Sequence, residues 1–178
     1  MPNERTSNPR FDSLAQEVYL GLWRTYDRLR AFEDEIQAVV ALSLFIPLLI
    51  GTGGNTGTQI TTTITRALAT GDIRFGDALR VVTKELAAAV LLGVVMAVAA
   101  FGRAWFLGVG PAVGLVVALT ALAIVLWSAT VASILPMILR RLKLDPAVVS
   151  GPFITTIVDG TGLLIYFTLA GRVLNLSA

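Results

Sequence analysis

One carboxylate in this sequence lies deep inside an apolar stretch, where it could bind a cation. Asp159 sits near the middle of "GPFITTIVDGTGLLIYF", and inserting a carboxylate at membrane depth costs about 2.5 to 3.5 kcal/mol. No basic residue within an apolar stretch is available to neutralise it. Asp159 could instead cap a helix or pair with a neighbouring threonine, but the cost favours a site for a cation that comes from solution.

The chemistry open to this chain is that of oxygen ligands. The sequence contains no histidine and no cysteine, which excludes disulfides, thiol or imidazole catalysis and the usual zinc sites. Carboxylate, hydroxyl and carbonyl oxygens suit hard cations such as magnesium, calcium or manganese. Because the apolar stretches also lack a nucleophile–base pair, we do not expect an enzyme.

A second polar segment, "GTGGNTGTQITTTIT", follows an apolar run that ends at Ile50 and is too short to cross a bilayer. We interpret the segment as a break in the first spanning helix, facing protein or water, because unpaired backbone groups find no partner in lipid. Pro47 precedes this segment and Pro152 precedes "TTIVDGTG", a paired pattern typical of transporter binding sites. The alternative is that the small residues permit close helix packing.

Composition and hydropathy predict an all-α integral membrane protein. Of the 178 residues, 55% are hydrophobic and 15% charged, whereas soluble domains carry about 25% charged residues. Four nearly uncharged stretches predict four spanning helices: residues 36–65, 86–102, 104–139 and 146–171. We also expect a short outer loop near "FLGVGP". The connectors after the first and third stretches contain seven basic residues, whereas the opposite side of the membrane has two. This difference predicts that both connectors lie in the cytoplasm.

The N-terminal region predicts a separate amphipathic helix. From residue 11 to residue 36, apolar residues recur at helical spacing and charged residues fill the other positions. We therefore divide the chain into an N-terminal amphipathic arm, residues 1–35, and a transmembrane pore domain, residues 36–178. The arm carries too many charges to span, so we expect it at the membrane interface or against a partner.

Two further carboxylates, Glu85 and Asp145, lie at the predicted cytoplasmic starts of the second and last spanning helices. They could draw cations to the mouth of an ion pathway. They could equally complement the positive end of a helix dipole, as acidic residues at helix starts commonly do.

Four segments resemble the membrane domain of the MgtE-type magnesium channel and transporter family: "FEDEIQAVVALSLFIPLLIGTGGNTGTQ", "TRALATGDI", "VVTKELAAAVLLG" and "LPMILRRLKLDPAVVSGPFITTIVDGTGLLIYFTLA". The resemblance runs from about residue 32 to residue 174, most of the chain. It implies a homodimer with a pore along the dimer interface, in which Asp159 binds hydrated Mg²⁺.

The same resemblance implies further ligand positions. The filter of the family maps onto Gly54, Asn55 and Thr58, and its cytoplasmic acidic positions match Glu85 and Asp145. We include Thr155, from the polar stretch that contains Asp159, among the candidate metal ligands.

The chain departs from the family pattern in two respects. The family usually has five membrane helices, and the first would fall where residues 8–31 are amphipathic here. The family's cytoplasmic magnesium-sensing domains have no counterpart in the sequence. We therefore expect a minimal member that lacks its own sensing domains, with a separate regulatory subunit as one possible source of gating.

These features predict a multi-pass protein of a prokaryotic inner or plasma membrane that moves hydrated Mg²⁺ as a lipid-embedded homodimer. Manganese, cobalt and calcium stay open as the transported ion. The alternative is a non-conducting membrane subunit that docks a partner through its N-terminal helix. The net charge of +2 comes from loops and ends, so it bears on topology and predicts no nucleic-acid partner.

Overall fold

The computed structural model describes residues 9–174, apart from the side chains of residues 9–13, 15, 75 and 147–150. The ends of the predicted arm and pore domain, residues 1–8 and 175–178, lie outside the described residues. The described chain forms five α-helices and one 3₁₀ turn: α1 Pro9–Ser43, α2 Ile46–Thr70, the turn Phe75–Asp77, α3 Ala78–Phe106, α4 Pro111–Arg141 and α5 Pro146–Leu174. The all-α prediction is confirmed for this part of the chain.

Four helical segments of the described chain are long and apolar enough to span a membrane: Gln16–Thr70, which combines α1 and α2, Ala78–Phe106, Pro111–Arg141 and Gly151–Leu174. The predicted number of spans is therefore confirmed. The short loop predicted near "FLGVGP" is also present, because α3 ends at Phe106 and α4 begins at Pro111.

The predicted break at the glycines is wrong, because α2 is a continuous α-helix from Ile46 to Thr70 that includes the whole glycine segment. Thr52, Thr56 and Thr58 each donate a hydrogen bond of 2.7–2.8 Å to the carbonyl oxygen four residues earlier. The backbone groups that we expected to be unpaired are thus paired within the helix, so lipid imposes no penalty on them.

The interruption lies before the glycines instead, at residues 44–45 between α1 and α2. Pro47 explains it, because proline has no N–H to donate and its ring clashes with the carbonyl four residues earlier. In the first turn of α2 the missing donor costs nothing. Pro152, by contrast, lies inside α5 without ending it, so the predicted pair of interrupted segments is not formed.

Packing divides the chain into two units, Met1–Val40 and Ala41–Ala178. The described part of the first unit, residues 9–40, belongs to the α1 helix and has large apolar side chains on its surface. Leu22, Leu29 and Phe32 are 67%, 59% and 60% exposed. A single helix cannot bury such side chains against itself, so they are available to lipid or protein.

We predict that residues 11–35 do not cross the bilayer. The chain has no cysteine, so single cysteines placed at Arg24 or Asp27, both exposed on α1, can be labelled selectively. Each should react with a membrane-impermeant maleimide added to one side of intact vesicles. Leu91→Cys, at an exposed apolar position midway along α3, is the matched control and should react only after detergent is added. The prediction would be contradicted if cysteines at positions 24 and 27 were protected from the maleimide as fully as the cysteine at position 91.

In the second unit, α4 packs against α2, α3 and α5, and its buried residues extend from Val113 to Leu139. One cluster of the core brings Phe45 and Val117 together with Tyr166 of α5. The buried Tyr166 hydroxyl donates a 2.8 Å hydrogen bond to the carbonyl oxygen of Leu42. These contacts hold α5 against the chain segment that leads into α2.

Two of the glycines let α2 approach α4 and α5 closely. A β-carbon at Gly53 would lie 2.6 Å from Ile124 Cγ2, and one at Gly57 would lie 2.8 Å from Ser128 Oγ. The short separation allows Ser128 of α4 to donate a 2.7 Å hydrogen bond to the carbonyl oxygen of Gly53. Gly53 and Gly57 therefore have the packing role that small residues play between membrane helices, and they fix the position of Gly54 between them.

Candidate functional site

Asp159 of α5 lies against Gly54 of α2. A β-carbon at Gly54 would lie 3.3 Å from Asp159 Oδ1 and 3.0 Å from Thr155 Cγ2. The structure thus brings three of the predicted site residues together from two helices that are far apart in sequence. Because Gly54 has no side chain, the carboxylate of Asp159 can approach the backbone of α2 closely.

The carboxylate of Asp159 is incompletely satisfied. Its Oδ1 atom is buried and has no hydrogen-bond partner among the described residues. A buried polar atom without a partner typically costs about 1–3 kcal/mol, and more for a charged group. Such a cost is acceptable where a ligand supplies the missing interaction, and a carboxylate oxygen attracts a cation.

Two threonines near the Gly54–Asp159 pair along their own helices, Thr155 before Asp159 and Thr58 after Gly54, present oxygen atoms rather than hydrogens. Thr155 Oγ1 donates to the carbonyl oxygen of Gly151 at 2.9 Å, and Thr58 Oγ1 donates to that of Gly54 at 2.8 Å. Each hydroxyl hydrogen is therefore committed to the helix backbone, while the oxygen lone pairs remain able to accept. Lone pairs next to a carboxylate form an environment that suits a hard cation or its water shell.

Thr65 belongs to the same side of α2, although the sequence analysis did not identify it. It follows Thr58 by two helical turns, and residues at this spacing share a helix side. Its Oγ1 atom is also buried without a hydrogen-bond partner among the described residues. Thr65 lines a cavity of about 230 Å³ together with Asp145 and Arg140. The spacing from Gly54 through Thr58 to Thr65 is the sequence signal that would have found it.

Asn55 lies on another side of α2. An α-helix turns by about 100° per residue, so Asn55 points away from the side that carries Gly54. With Gln59 it lines a cavity of about 390 Å³ that Leu92 and Met96 of α3 also border. Within one chain, Asn55 is therefore not brought to the Gly54–Asp159 pair, and its role as a ligand stays a prediction.

The three predicted carboxylate ligands do not cluster. No group of three or more Asp, Glu, His or Cys residues able to hold a metal occurs in the described part of the chain. Glu85 is half-buried near the start of α3, whose main packing partner is α4, and Asp145 directly precedes α5. An ion at Asp159 would therefore meet one carboxylate from this chain, together with hydroxyl, carbonyl and water oxygens.

A polar and exposed surface of α2 begins beside the Gly54 side, at Thr58, and extends around the helix. Its exposed residues carry amides or hydroxyls and no charge over more than two turns: Asn55, Thr58, Gln59, Thr62 and Thr63. Polar side chains in spanning helices usually face protein or a water-filled cavity rather than lipid. These residues are exposed in the single chain, so this surface of α2 is suited to a water-filled path or to contact with a second protein.

Comparison with known proteins gives a consistent result. A family model described as MgtE, divalent cation transporter, matches residues 46–169. The chain is 43% identical over 147 residues to a magnesium transporter MgtE of Thermus thermophilus, covering 83% of this chain and 32% of that protein. It is 35% identical over 139 residues to the Bacillus subtilis magnesium transporter MgtE, covering 78% of this chain and 31% of that protein. It is 31% identical over 171 residues to the Enterococcus faecalis magnesium transporter MgtE, covering 93% of this chain and 36% of that protein. The chain thus spans about a third of the length of these curated relatives.

Proposed function

Because the chain belongs to the MgtE family of divalent cation transporters, we propose that it moves Mg²⁺ across a membrane, with Asp159 as the central cation site. Three similar proteins are named as magnesium transporters, which supports Mg²⁺ as the transported ion. The observation that carries the proposal is the buried Oδ1 atom of Asp159, which lacks a partner among the described residues and lies against Gly54 of α2.

The site suits a hydrated ion better than a bare one. Mg²⁺ gives up its water reluctantly and usually keeps several water ligands, so it is bound through one or two carboxylates rather than by a cage of protein oxygens. Asp159 supplies one carboxylate, and the lone pairs of Thr155 and Thr58 can accept hydrogen bonds from the ion's water. A glycine at position 54 keeps a side chain from crowding Asp159, because a β-carbon there would lie 3.3 Å from the Oδ1 atom.

We further propose that the pathway lies between two copies of this chain. The exposed polar side of α2 supports this arrangement, because it needs water or protein opposite it. Two copies related by a two-fold axis would present two Asp159 carboxylates to one path, and their charges would balance one divalent ion. On this proposal the connectors rich in arginine and lysine lie in the cytoplasm of a prokaryotic cell.

The proposal is tested with the purified chain alone in liposomes that contain a Mg²⁺-sensitive dye. We expect Mg²⁺ entry well above that of protein-free liposomes, and competition by Mn²⁺, Co²⁺ or Ca²⁺ added outside will rank these ions. No entry of any of the four ions would contradict a transport function and favour a non-conducting subunit. If one of the other ions entered and Mg²⁺ did not, the transport function would stand, but the assignment of Mg²⁺ as the substrate would be overturned.

A further inference from the structure

A separate cavity lies where α2 and α4 end, beside the connector that follows α2. It has a volume of about 550 Å³, within the range of small-molecule sites. Arginine and apolar residues dominate its lining: Arg74, Arg140, Arg141, Leu68, Ile73 and Met137. None of the described lining residues is acidic, so the cavity combines a strongly positive part with an apolar wall.

The two carboxylates of the connector, Asp72 and Asp77, do not line this cavity. Asp77 accepts a 2.9 Å hydrogen bond from the backbone N–H of Arg74, and Asp72 accepts one from the Thr70 hydroxyl. Neither carboxylate lines the cavity. Asp145 borders a neighbouring cavity together with Arg140, and it does not line this one.

Arg140 is held at the wall of the cavity by the end of α2. Its Nη1 atom donates a hydrogen bond to the carbonyl oxygen of Leu68, one of the last carbonyls of that helix. This bond fixes the guanidinium, but an arginine has five N–H donors and one bond does not exhaust them. A fixed guanidinium with remaining donors is well prepared to bind an anion.

Phosphate is the anion that these side chains fit best, because the planar guanidinium fork matches phosphate oxygens and often binds two of them at once. The apolar wall of Leu68, Ile73 and Met137 favours a phosphate that carries a hydrocarbon chain. The ends of membrane-spanning helices lie at the level of lipid headgroups, and basic pockets there commonly bind acidic lipids. We propose that this cavity binds the phosphate of an anionic membrane phospholipid, with Arg74 and Arg140 contacting the phosphate.

The test measures lipid binding and is independent of transport. Fluorescent phosphatidylglycerol is titrated into the full chain in an uncharged detergent, and phosphatidylcholine with the same acyl chains serves as the zwitterionic reference. We expect tighter binding of phosphatidylglycerol. Each basic residue near a lipid headgroup contributes about five-fold in affinity, so Arg74→Gln should weaken the preference about five-fold and Arg74→Gln with Arg140→Gln about 25-fold.

The matched control is the double variant Arg103→Gln with Arg172→Gln, which removes one arginine from the last turn of α3 and one from the last turn of α5. It should retain the preference for phosphatidylglycerol. Arg74→Gln is measured alone because Arg140 also holds the end of α2, so a loss in the single variant cannot come from that bond. An unchanged preference in Arg74→Gln and in the double variant would overturn the proposal, as would an equal loss in the control. Displacement of the lipid by millimolar inorganic phosphate would show a soluble phosphate site and overturn the lipid assignment.

Discussion

Replacing Asp159 with asparagine should abolish Mg²⁺ flux while the protein remains folded. The substitution keeps the shape of the side chain but removes the carboxylate that lies within the spanning part of α5. Removing one member of a buried charge pair typically costs about 2–5 kcal/mol, so flux in liposomes should fall by about 30-fold or more. Thermal unfolding should be unchanged or shifted upward, because the wild-type Oδ1 atom is buried without a described partner.

Asp72→Asn is the matched control for that experiment. It removes the same charge from an exposed position in the connector after α2, where no ion pathway is proposed. Flux of this variant should remain close to that of the wild type. If Asp159→Asn transports Mg²⁺ as well as Asp72→Asn does, Asp159 is not the cation site.

The spanning helices could be predicted from the sequence because their signal is local. Long uncharged runs identify spans whatever their neighbours are, and "FLGVGP" between two such runs indicates a loop. Asp159 stood out for the same reason, since a carboxylate in an apolar run is conspicuous without any knowledge of the fold. These features needed only the order of residues along the chain.

The glycine segment could not be interpreted correctly in this way. A helix break and a close helix–helix contact both require small residues, so composition alone does not separate them. The contacts of Gly53 with Ile124 and of Gly57 with Ser128 decide the matter, and they depend on residues more than seventy positions away. Pro47 was correctly recognised as a helix breaker, but its effect falls on the residues before it.

The helix also bears on which site residues can act together. The family resemblance implied Gly54, Asn55 and Thr58 as filter positions, without regard to the side of a helix on which each one lies. In a regular helix, neighbours in sequence point about 100° apart, and residues four or seven apart share a side instead. The continuous helix therefore joins Gly54 with Thr58 and Thr65 and places Asn55 beside Gln59.

Gly54→Ala should reduce Mg²⁺ flux far more than it reduces stability. Its β-carbon would lie 3.0 Å from Thr155 Cγ2 and 3.3 Å from Asp159 Oδ1, contacts that a small shift of Thr155 can relieve. Alanine also favours the helix by about 1 kcal/mol over glycine, which offsets part of the crowding. The methyl group would nevertheless crowd the Oδ1 atom of Asp159, which we propose binds the ion, and Gly54→Val should crowd it more strongly.

Two alanine substitutions in the same helix separate a pathway role for Gly54 from a packing role. At Gly51 a β-carbon would meet nothing within 4 Å, whereas at Gly57 it would lie 2.7 Å from Ile154 Cγ2. Gly51→Ala should therefore preserve both flux and stability, and Gly57→Ala should lower the unfolding temperature, since overpacking costs about 1–3 kcal/mol. Flux and thermal unfolding are measured on the same preparation of each variant. If Gly54→Ala loses stability as Gly57→Ala does and keeps normal flux, Gly54 is a packing residue and the space beside Asp159 is not part of the ion pathway.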